Sequence, residues 1–516
     1  MTLRSIYEEL TKERDEYLRK GEKSSILTIP SILPQDGLLR HQLPQNFQSV
    51  GARGVNNLTA KLMLTLFHST EPFMRLEISP ADLEALEAEA AQAGQPGSVS
   101  KITEDLAAME QQALSEFDTN GWRPAMAEGI RQMVVTGNCL IYDRPGSVTP
   151  SVYDLRRFVV ERDAEGNLQR VVLKESLSRL SAIQHLRGKV SPARLDEMTS
   201  EGSYDRDSLC LYTGAMLNED GDFAFYQEIG EIRINDEPLI FSPEELPLIP
   251  MRFQPVYQSS YGRGYVEEYE GDLVSLEALR RSLVEAAMAA AKVLFLVNET
   301  GMTKGSVLAE APNCAIRAGR EEDVGTMKVD KGADMGVARA LVGDLQVSLA
   351  NAFLLNSSVQ RAGERVTAEE IRFVAQELED ALGGVYASLA QTVQRPIVLY
   401  LFKKMQRSGV IAKLPGYVNL VIATGLEQIS RNHKFTKLAQ SIGALQQFIG
   451  PERVPMLLKE DSIARDVFTS LNLNASDYLK SPEEIAAEEQ KAQEQQAMQS
   501  LGPDVVKGIS QQQAQQ

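Results

Sequence analysis

Apolar residues recur every three or four positions through most of the chain, and alternate only in its second quarter. The opening stretch, residues 1–23, is charged throughout with apolar positions at helical spacing, and predicts an amphipathic helix. Pro30, Pro34 and Pro44 then break helix, so 29–48 reads as a loop. In SVGARGVNNLTAKLMLTLF (49–67), Val55, Leu58, Leu62 and Leu66 step along one face. Ala/Glu-rich segments at 80–93 and 103–117 continue the helical pattern. A further helix over 122–136 ends at Gly137-Asn138, where a glycine can take the left-handed stop.

The period then changes. Residues 140–143, 158–161, 171–174, 209–213, 223–228 and 232–234 are short β-branched or aromatic runs, punctuated by turns at Asp163–Gly166, Asn218–Gly221 and Asn235-Asp236. They predict a small antiparallel sheet.

Long helices return at Tyr261. Val266, Tyr269, Leu273, Leu276, Leu279, Leu283, Ala286 and Ala290 have a mean spacing of about 3.5 residues, the coiled-coil value. Opposite them stand Glu267, Glu268, Glu270, Asp272, Glu277 and Glu285. A glycine-rich, β-like interlude (293–329) leads to a second helix over 334–355, and NSSVQRAGERV breaks it. A third helix starts at Thr367, with Glu370 completing a capping box. It passes a weak point at Gly383-Gly384 and a break at Pro396, and closes at Ser408-Gly409. Residues 426–471 read as helical again. The tail from Ser481, rich in Glu, Gln and Ala, reads as one polar helix followed by disorder.

The fold class expected is therefore α+β, mainly α. A chain of 516 residues has room for a large core. Three separated cysteines form no disulfide framework and fit a reducing compartment. No stretch is apolar for the 20 or so residues a membrane span needs, since Lys292 interrupts the best candidate, 286–297. With 53 Lys+Arg against 71 Asp+Glu the net charge is -18, a poor basis for gripping DNA by neutralising phosphates.

Enzyme chemistry finds little material. There is no G-x-x-x-x-G-K-[ST] loop, no H-E-x-x-H, no C-x-x-C and no G-x-S-x-G, and only 4 histidines are present. Gly262-Arg-Gly264 opens like a dinucleotide fingerprint, but Glu267 stands at the third glycine. No cofactor is expected. Abundant carboxylates keep a metal-dependent nuclease as a rival reading.

Three segments taken together, 49–67, SYGRGYVEEYEGDLVSLE (260–277) and FLLNSSVQRAGERVTAEEIRFVAQELEDALGGVY (353–386), resemble the portal proteins (head-to-tail connectors) of short-tailed, podovirus-type bacteriophages. Their order and spacing, the β-rich middle and the Gln-rich tail agree, over about residues 5–475. The resemblance implies an elongated, non-enzymatic subunit with wing, stem, clip and crown regions. Twelve copies would form a ring at one capsid vertex, through which double-stranded DNA passes in packaging and ejection. It implies a wing over 1–260, a first stem helix at 261–292, a clip at 293–332 and a second stem helix at 333–355. A tunnel loop at 356–367, a kinked helix and end of the wing at 368–425, a crown at 426–475 and a polar tail at 476–516 would complete the subunit. The partners implied are the terminase large subunit, major capsid and scaffolding proteins, a tail adaptor and internal core proteins. The location implied is the virion, with the host cytoplasm during assembly. A ring adaptor that does not contact DNA is a further rival.

On that reading, Asn356, Ser357, Gln360, Arg361 and Arg365 would touch DNA from the tunnel loop; the ordinary alternative is a helix–helix connection with its arginines paired to Glu369 or Glu370. Glu267, Glu268, Glu270 and Glu277 would lie on the channel wall or between neighbours, against the ordinary alternative of a solvated helix face. Leu273, Leu276, Leu279 and Leu283 are expected in the core. Gly383 and Gly384 would be the helix kink or simply a close packing point.

Overall fold

The structure is a computed structural model of the 516-residue chain. It describes residues 2–35, 43–67, 73–79, 98–187, 208–229, 232–234, 237–290, 294–301, 303–310, 318–327, 332–355, 368–412, 418–422 and 440–447, with a few isolated positions between. The chain divides into two compact units, Met1–Gly94 with Leu106–Thr424, and Gln95–Asp105 with Gly425–Gln516. The second unit contributes helical turns at 98–105 and 440–447 to the described residues, and nearly all the rest belong to the first.

The amphipathic N-terminus forms α1 (Leu3–Leu27), started by the Thr2 side chain, which accepts a hydrogen bond from Ser5 N. The next apolar stripe forms α2 (Val50–Leu66), and Val55, Leu58, Leu62 and Leu66 are all buried, as their spacing predicts. A strand that the sequence pattern does not announce, β1 (Met74–Ile78), comes next, then α3 (Ser98–Thr119) and α4 (Trp122–Thr136). Helix α4 stops at Gly137 in the left-handed conformation, φ 80°.

The β-rich middle begins with β2 (Asn138–Tyr142) and β3 (Ser151–Tyr153), and continues with β4 (Phe158–Arg162) and β5 (Leu168–Leu177). After α5 (Arg179–Leu186) come β6 (Tyr204–Asp205), β7 (Ser208–Leu217), β8 (Phe223–Ile229), β9 (Ile232–Arg233), β10 (Leu239–Phe241) and β11 (Leu248–Arg252). The main sheet is antiparallel, in the order β10-β8-β7-β5-β4, with β6 beside β7 and β9 beside β8. Because side chains alternate along a strand, the sheet presents two apolar faces. Val159, Val172 and Tyr212 receive Leu3, Ile6 and Tyr7 of α1. Phe158, Val160, Val171, Leu173, Phe223 and Phe225 pack on the other side with Leu140, Tyr142 and Leu248 of a three-stranded sheet, β11-β2-β3. Each such residue, once fully buried, contributes about 1.5–3 kcal/mol.

A short ladder of β12 (Gln254–Pro255) and β13 (Gly262–Arg263) delivers the chain to the long helices. Gly262 is pinned to Asn138 by two hydrogen bonds of 2.8 Å, and a Cβ on Gly264 would sit 2.7 Å from Val135 O. The glycines of Gly262-Arg-Gly264 thus let the chain cross the end of α4. The helix expected from Tyr261 is two: α6 (Tyr265–Glu268) and α7 (Glu270–Ala290), interrupted at Tyr269.

The interlude holds β14 (Leu294–Val297), a short α8 (Gly305–Ala309) and β15 (Val324–Met327), which pairs antiparallel with β14. The second long helix, α9 (Gly332–Ala352), packs against α7. Then α10 (Ala368–Leu382) ends at Gly383, φ 56° and ψ -141°, a backbone that favours glycine, and α11 (Gly384–Leu389) resumes. The second irregularity is one π-helical turn, Ala390–Gln394, ahead of α12 (Arg395–Ser408). Pro396, which has no N–H to donate, follows that wider turn directly within a continuous helical run. Gly409, φ 75°, closes α12. A last strand, β16 (Val418–Ile422), pairs with β1 across more than 300 residues of chain, Met74 opposite Ile422.

Among the described residues no helix is long and apolar enough to cross a membrane. The regions expected at 426–475 and 476–516 lie almost wholly outside the described residues.

Candidate functional site

Helices α7 and α9 carry the candidate carboxylates. Leu273 and Leu276 are fully buried, while Leu279 and Leu283 are half-buried as the helix leaves the body of the subunit. Glu267 is only 12% exposed and meets Lys20 of α1 at 3.4 Å and Arg263 at 3.2 Å. Glu277 accepts the backbone N–H of Phe47 at 3.0 Å and of Gln48 at 3.1 Å, which ties α7 to the segment entering α2. The Arg281 guanidinium sits 5.7 Å from the centre of the Phe47 ring, on the same contact. Glu268 is exposed and Glu270 half-buried, and among the described residues neither forms an ion pair. The four carboxylates thus divide. Two are engaged within the subunit, and two have no ion-pair partner among the described residues.

The same helices expose apolar side chains. Val274, Val284 and Met288 on α7, and Val337, Leu341 and Val347 on α9, lie 42–73% exposed, whereas Val342 and Leu349 are buried. Singly exposed apolar residues are ordinary, but six on two helices that pack together concentrate exposed apolar area on that pair.

The tunnel-loop residues Asn356, Ser357, Gln360, Arg361 and Arg365 lie outside the described residues, as do the side chains of Glu369 and Glu370. The feet of that segment are described. Leu354 closes α9 with φ 55°, rare for a leucine. Asn57 Nδ2 donates to the carbonyls of Phe353, at 3.0 Å, and Leu354, at 2.9 Å. Lys61 Nζ lies 3.2 Å from the Leu354 carbonyl and 2.6 Å from Glu377 Oε2 on α10. A Cβ on Gly54 would stand 2.5 Å from the Phe353 ring, and Phe353 in turn packs on Tyr265 and Tyr269. Three residues of α2 therefore hold the end of α9, and one of them, Lys61, also pairs with Glu377 in the middle of the next helix. Sequence reasoning passed over them. The available signal was Lys61, a cation three positions after Leu58 inside an apolar stripe.

Gly383 sits at the interruption between α10 and α11, and a Cβ on either Gly383 or Gly384 would meet nothing within 4 Å. Close packing is thus not what requires glycine there; the positive φ of Gly383 is. Among the described residues no group of three or more His, Cys, Asp or Glu could hold a metal ion. Cys139 is buried, Cys210 partly buried, and both are free.

Residues 1–479 match the family of bacteriophage head to tail connecting proteins. The chain is 38% identical over 453 residues to the portal protein of Enterobacteria phage T3, covering 86% of this chain and 81% of that one. It is 37% identical over 450 residues to the portal protein of Escherichia phage T7, with the same coverage. To the portal protein of Pseudomonas phage phiKMV it is 28% identical over 501 residues, covering 94% of this chain and 93% of that one. Among solved structures it is similar to a chain from the neck of a native gene transfer agent particle computed with C12 symmetry, at 10% identity and TM-score 0.33, over 79% of this chain and 97% of that one.

Proposed function

The chain belongs to the bacteriophage head to tail connecting proteins, and from that premise we propose how its parts serve a portal. The connector role and the passage of DNA during packaging follow from the family. The finer reading is that about twelve copies close into a ring, with α7 and α9 as the stem around the channel. β14, β15 and the residues between them form the clip that meets the terminase large subunit and later the tail adaptor. The β-rich middle with α1 to α4 forms the wing, set against capsid and scaffolding proteins, with internal core proteins above the crown. Assembly takes place in the host cytoplasm, before the ring is built into the virion.

The observation that supports this arrangement is the apolar face of α7 and α9. A cyclic ring needs two different surfaces on each subunit, and an exposed line from Val274 to Met288 beside one from Val337 to Val347 supplies apolar area on both helices. A channel lined with carboxylates such as Glu268 would repel phosphate, so DNA could slide rather than stick. The net charge of -18 fits a conduit better than a clamp. Residues 356–367 would then supply local contact through Gln360, Arg361 and Arg365.

Electron microscopy of the purified protein is the direct test. Hollow rings, lost when Val284 and Met288 are both replaced by Glu, support the arrangement. A wild-type protein that stays monomeric at the concentrations of assembly overturns it.

A further inference from the structure

Arg162 at the end of β4 and Arg252 at the end of β11 are two half-buried guanidiniums that form no ion pair among the described residues. Arg162 donates to the Gly166 carbonyl at 3.0 Å and the Pro250 carbonyl at 2.8 Å, and its Nε is buried without a partner. Arg252 donates to the Ser259 carbonyl at 3.1 Å. Both crowd one turn, since a Cβ on Gly166 would stand 2.4 Å from Arg252 Nη2. The acids nearby make no direct contact with either guanidinium: Asp163 accepts from Asn167 and Gln169 and supports Arg162 only through space, and Glu244, on the lining of the same cleft, pairs with Lys403 at 3.1 Å. Burial first, and then the charge of Arg252, pulls the Arg162 pKa down to about 10, and burial lowers that of Arg252.

These two side chains line a cleft of about 750 Å³ between the sheets and α12. Arg395, exposed in the first turn of α12, adds a third cation, and Leu217, Phe223 and Leu399 are among its apolar lining. Two like charges taken partly out of water, bonded to carbonyls and offset by the Asp163 carboxylate through space alone, are poorly compensated until a further anion joins them. Carbonyl contacts leave guanidinium N–H groups for a carboxylate, the anion whose planar geometry they match. The volume is that of a small-ligand pocket, with apolar walls and a few convergent polar groups. A free phosphate would leave those walls wet. A DNA backbone needs an exposed track of cations rather than a recess.

We propose that this cleft receives an acidic peptide segment from another polypeptide, with a carboxylate on Arg162 and Arg252 and a neighbouring bulky apolar side chain on Leu217, Phe223 and Leu399. The site goes beyond the connector reading and shares no residue with α7 or α9. It would make this part of the subunit a docking point for a short acidic–apolar motif.

The test uses the intact protein and a fluorescein-labelled Leu-Asp-Phe-amide peptide, followed by fluorescence anisotropy. Saturable binding is expected, weakened at least about tenfold when the peptide carries Asn for Asp, and equally by Arg162→Met with Arg252→Met. Should the double variant not fold, Arg395→Gln replaces it, with a loss of a few-fold expected. Absence of saturable binding, equal binding of the Asp and Asn peptides, or binding that these variants leave unchanged overturns the proposal. So does a cleft that takes inorganic phosphate or a short DNA duplex while the peptide stays unbound.

Discussion

Lys61 of α2 reaches Glu377 of α10 at 2.6 Å, with the lysine side chain 8% and the glutamate 22% exposed. The same Nζ also donates to the Leu354 carbonyl, so Lys61 ties the end of α9 to the middle of α10. Removing one partner of such a pair leaves the other charge poorly solvated, at a cost that exceeds the worth of the pair itself. Lys61→Met is therefore expected to lower unfolding free energy by about 2–4 kcal/mol, measured by denaturant titration. Lys61→Met with Glu377→Gln should recover part of that loss. Additive losses in the double variant would show that the two residues do not act together.

Gly137 and Gly54 should tolerate substitution poorly for different reasons. Gly137 combines φ 80° with a hypothetical Cβ 2.4 Å from the Gly262 carbonyl, so Gly137→Ala meets both backbone strain and an immovable neighbour. Gly54 is helical, and the atoms nearest its Cβ all belong to the Phe353 side chain, Cγ at 2.5 Å, Cβ at 2.8 Å and Cδ1 at 2.9 Å. Gly54→Ala should therefore cost less when Phe353→Ala has removed Cγ and the ring, a coupling of about 1 kcal/mol or more. No second-site change of a side chain should rescue Gly137→Ala. Thermal unfolding of wild type, the three single variants and the Gly54/Phe353 double variant decides both points.

These glycines also show where the sequence was legible. Helical and alternating periods located α1, α2, α4, α7, α9 and most strands, because one face of each is buried and the chain must repeat that face. The stop at Gly137 and the interruption at Gly383 were readable for the same local reason. The ladder of β1 and β16 was not, since Met74–Ile78 and Val418–Ile422 are short and become strands only on finding each other. The internal engagement of Glu277 was likewise hidden. A carboxylate opposite an apolar stripe looks solvated until the partner, here the backbone of Phe47 and Gln48, is brought in from 230 residues away.

Glu277 and Glu268 consequently should behave differently under the same change. Glu277→Lys loses two charge-assisted hydrogen bonds to backbone and is expected to cost about 2–4 kcal/mol of stability. Glu268→Lys, on an exposed side chain, should leave unfolding unchanged. If Glu268 faces passing DNA in the ring, the same variant should slow packaging, more so at low salt. Packaging rates in a defined in vitro reaction, at two ionic strengths, separate the outcomes. An unchanged rate at both removes Glu268 from the wall.

Alkaline pH should unfold the subunit through its tyrosines. Burial is the largest cause raising Tyr142, Tyr261, Tyr265 and Tyr400 above their ordinary value of 10.0, and for Tyr400 the Asp143 carboxylate adds to it. A phenol whose folded-state pKa is raised is neutral in both states below pH 10, where its contribution is fully present. Above that value the unfolded chain ionises first, so stability falls as pH rises. Tyrosinate absorbance should accordingly increase in step with loss of far-ultraviolet circular dichroism. Titration of every tyrosine around pH 10 with native dichroism intact would contradict the burial.

The arginines at 361 and 365 provide the sharpest test of a DNA-touching loop. Their segment joins α9 to α10, and the end of α9 that leads into it is held by Asn57 and Lys61, so substitutions beyond that anchor should not disturb the body of the subunit. Each Arg that contacts phosphate adds a salt-sensitive attachment. Arg361→Ala with Arg365→Ala should therefore leave unfolding and ring formation as they are, while lowering the DNA retained in filled heads. Loss of rings would instead indicate a role between subunits. Normal rings with normal genome content and normal ejection would remove both residues from any account of DNA passage, and the channel would then act through its carboxylates alone.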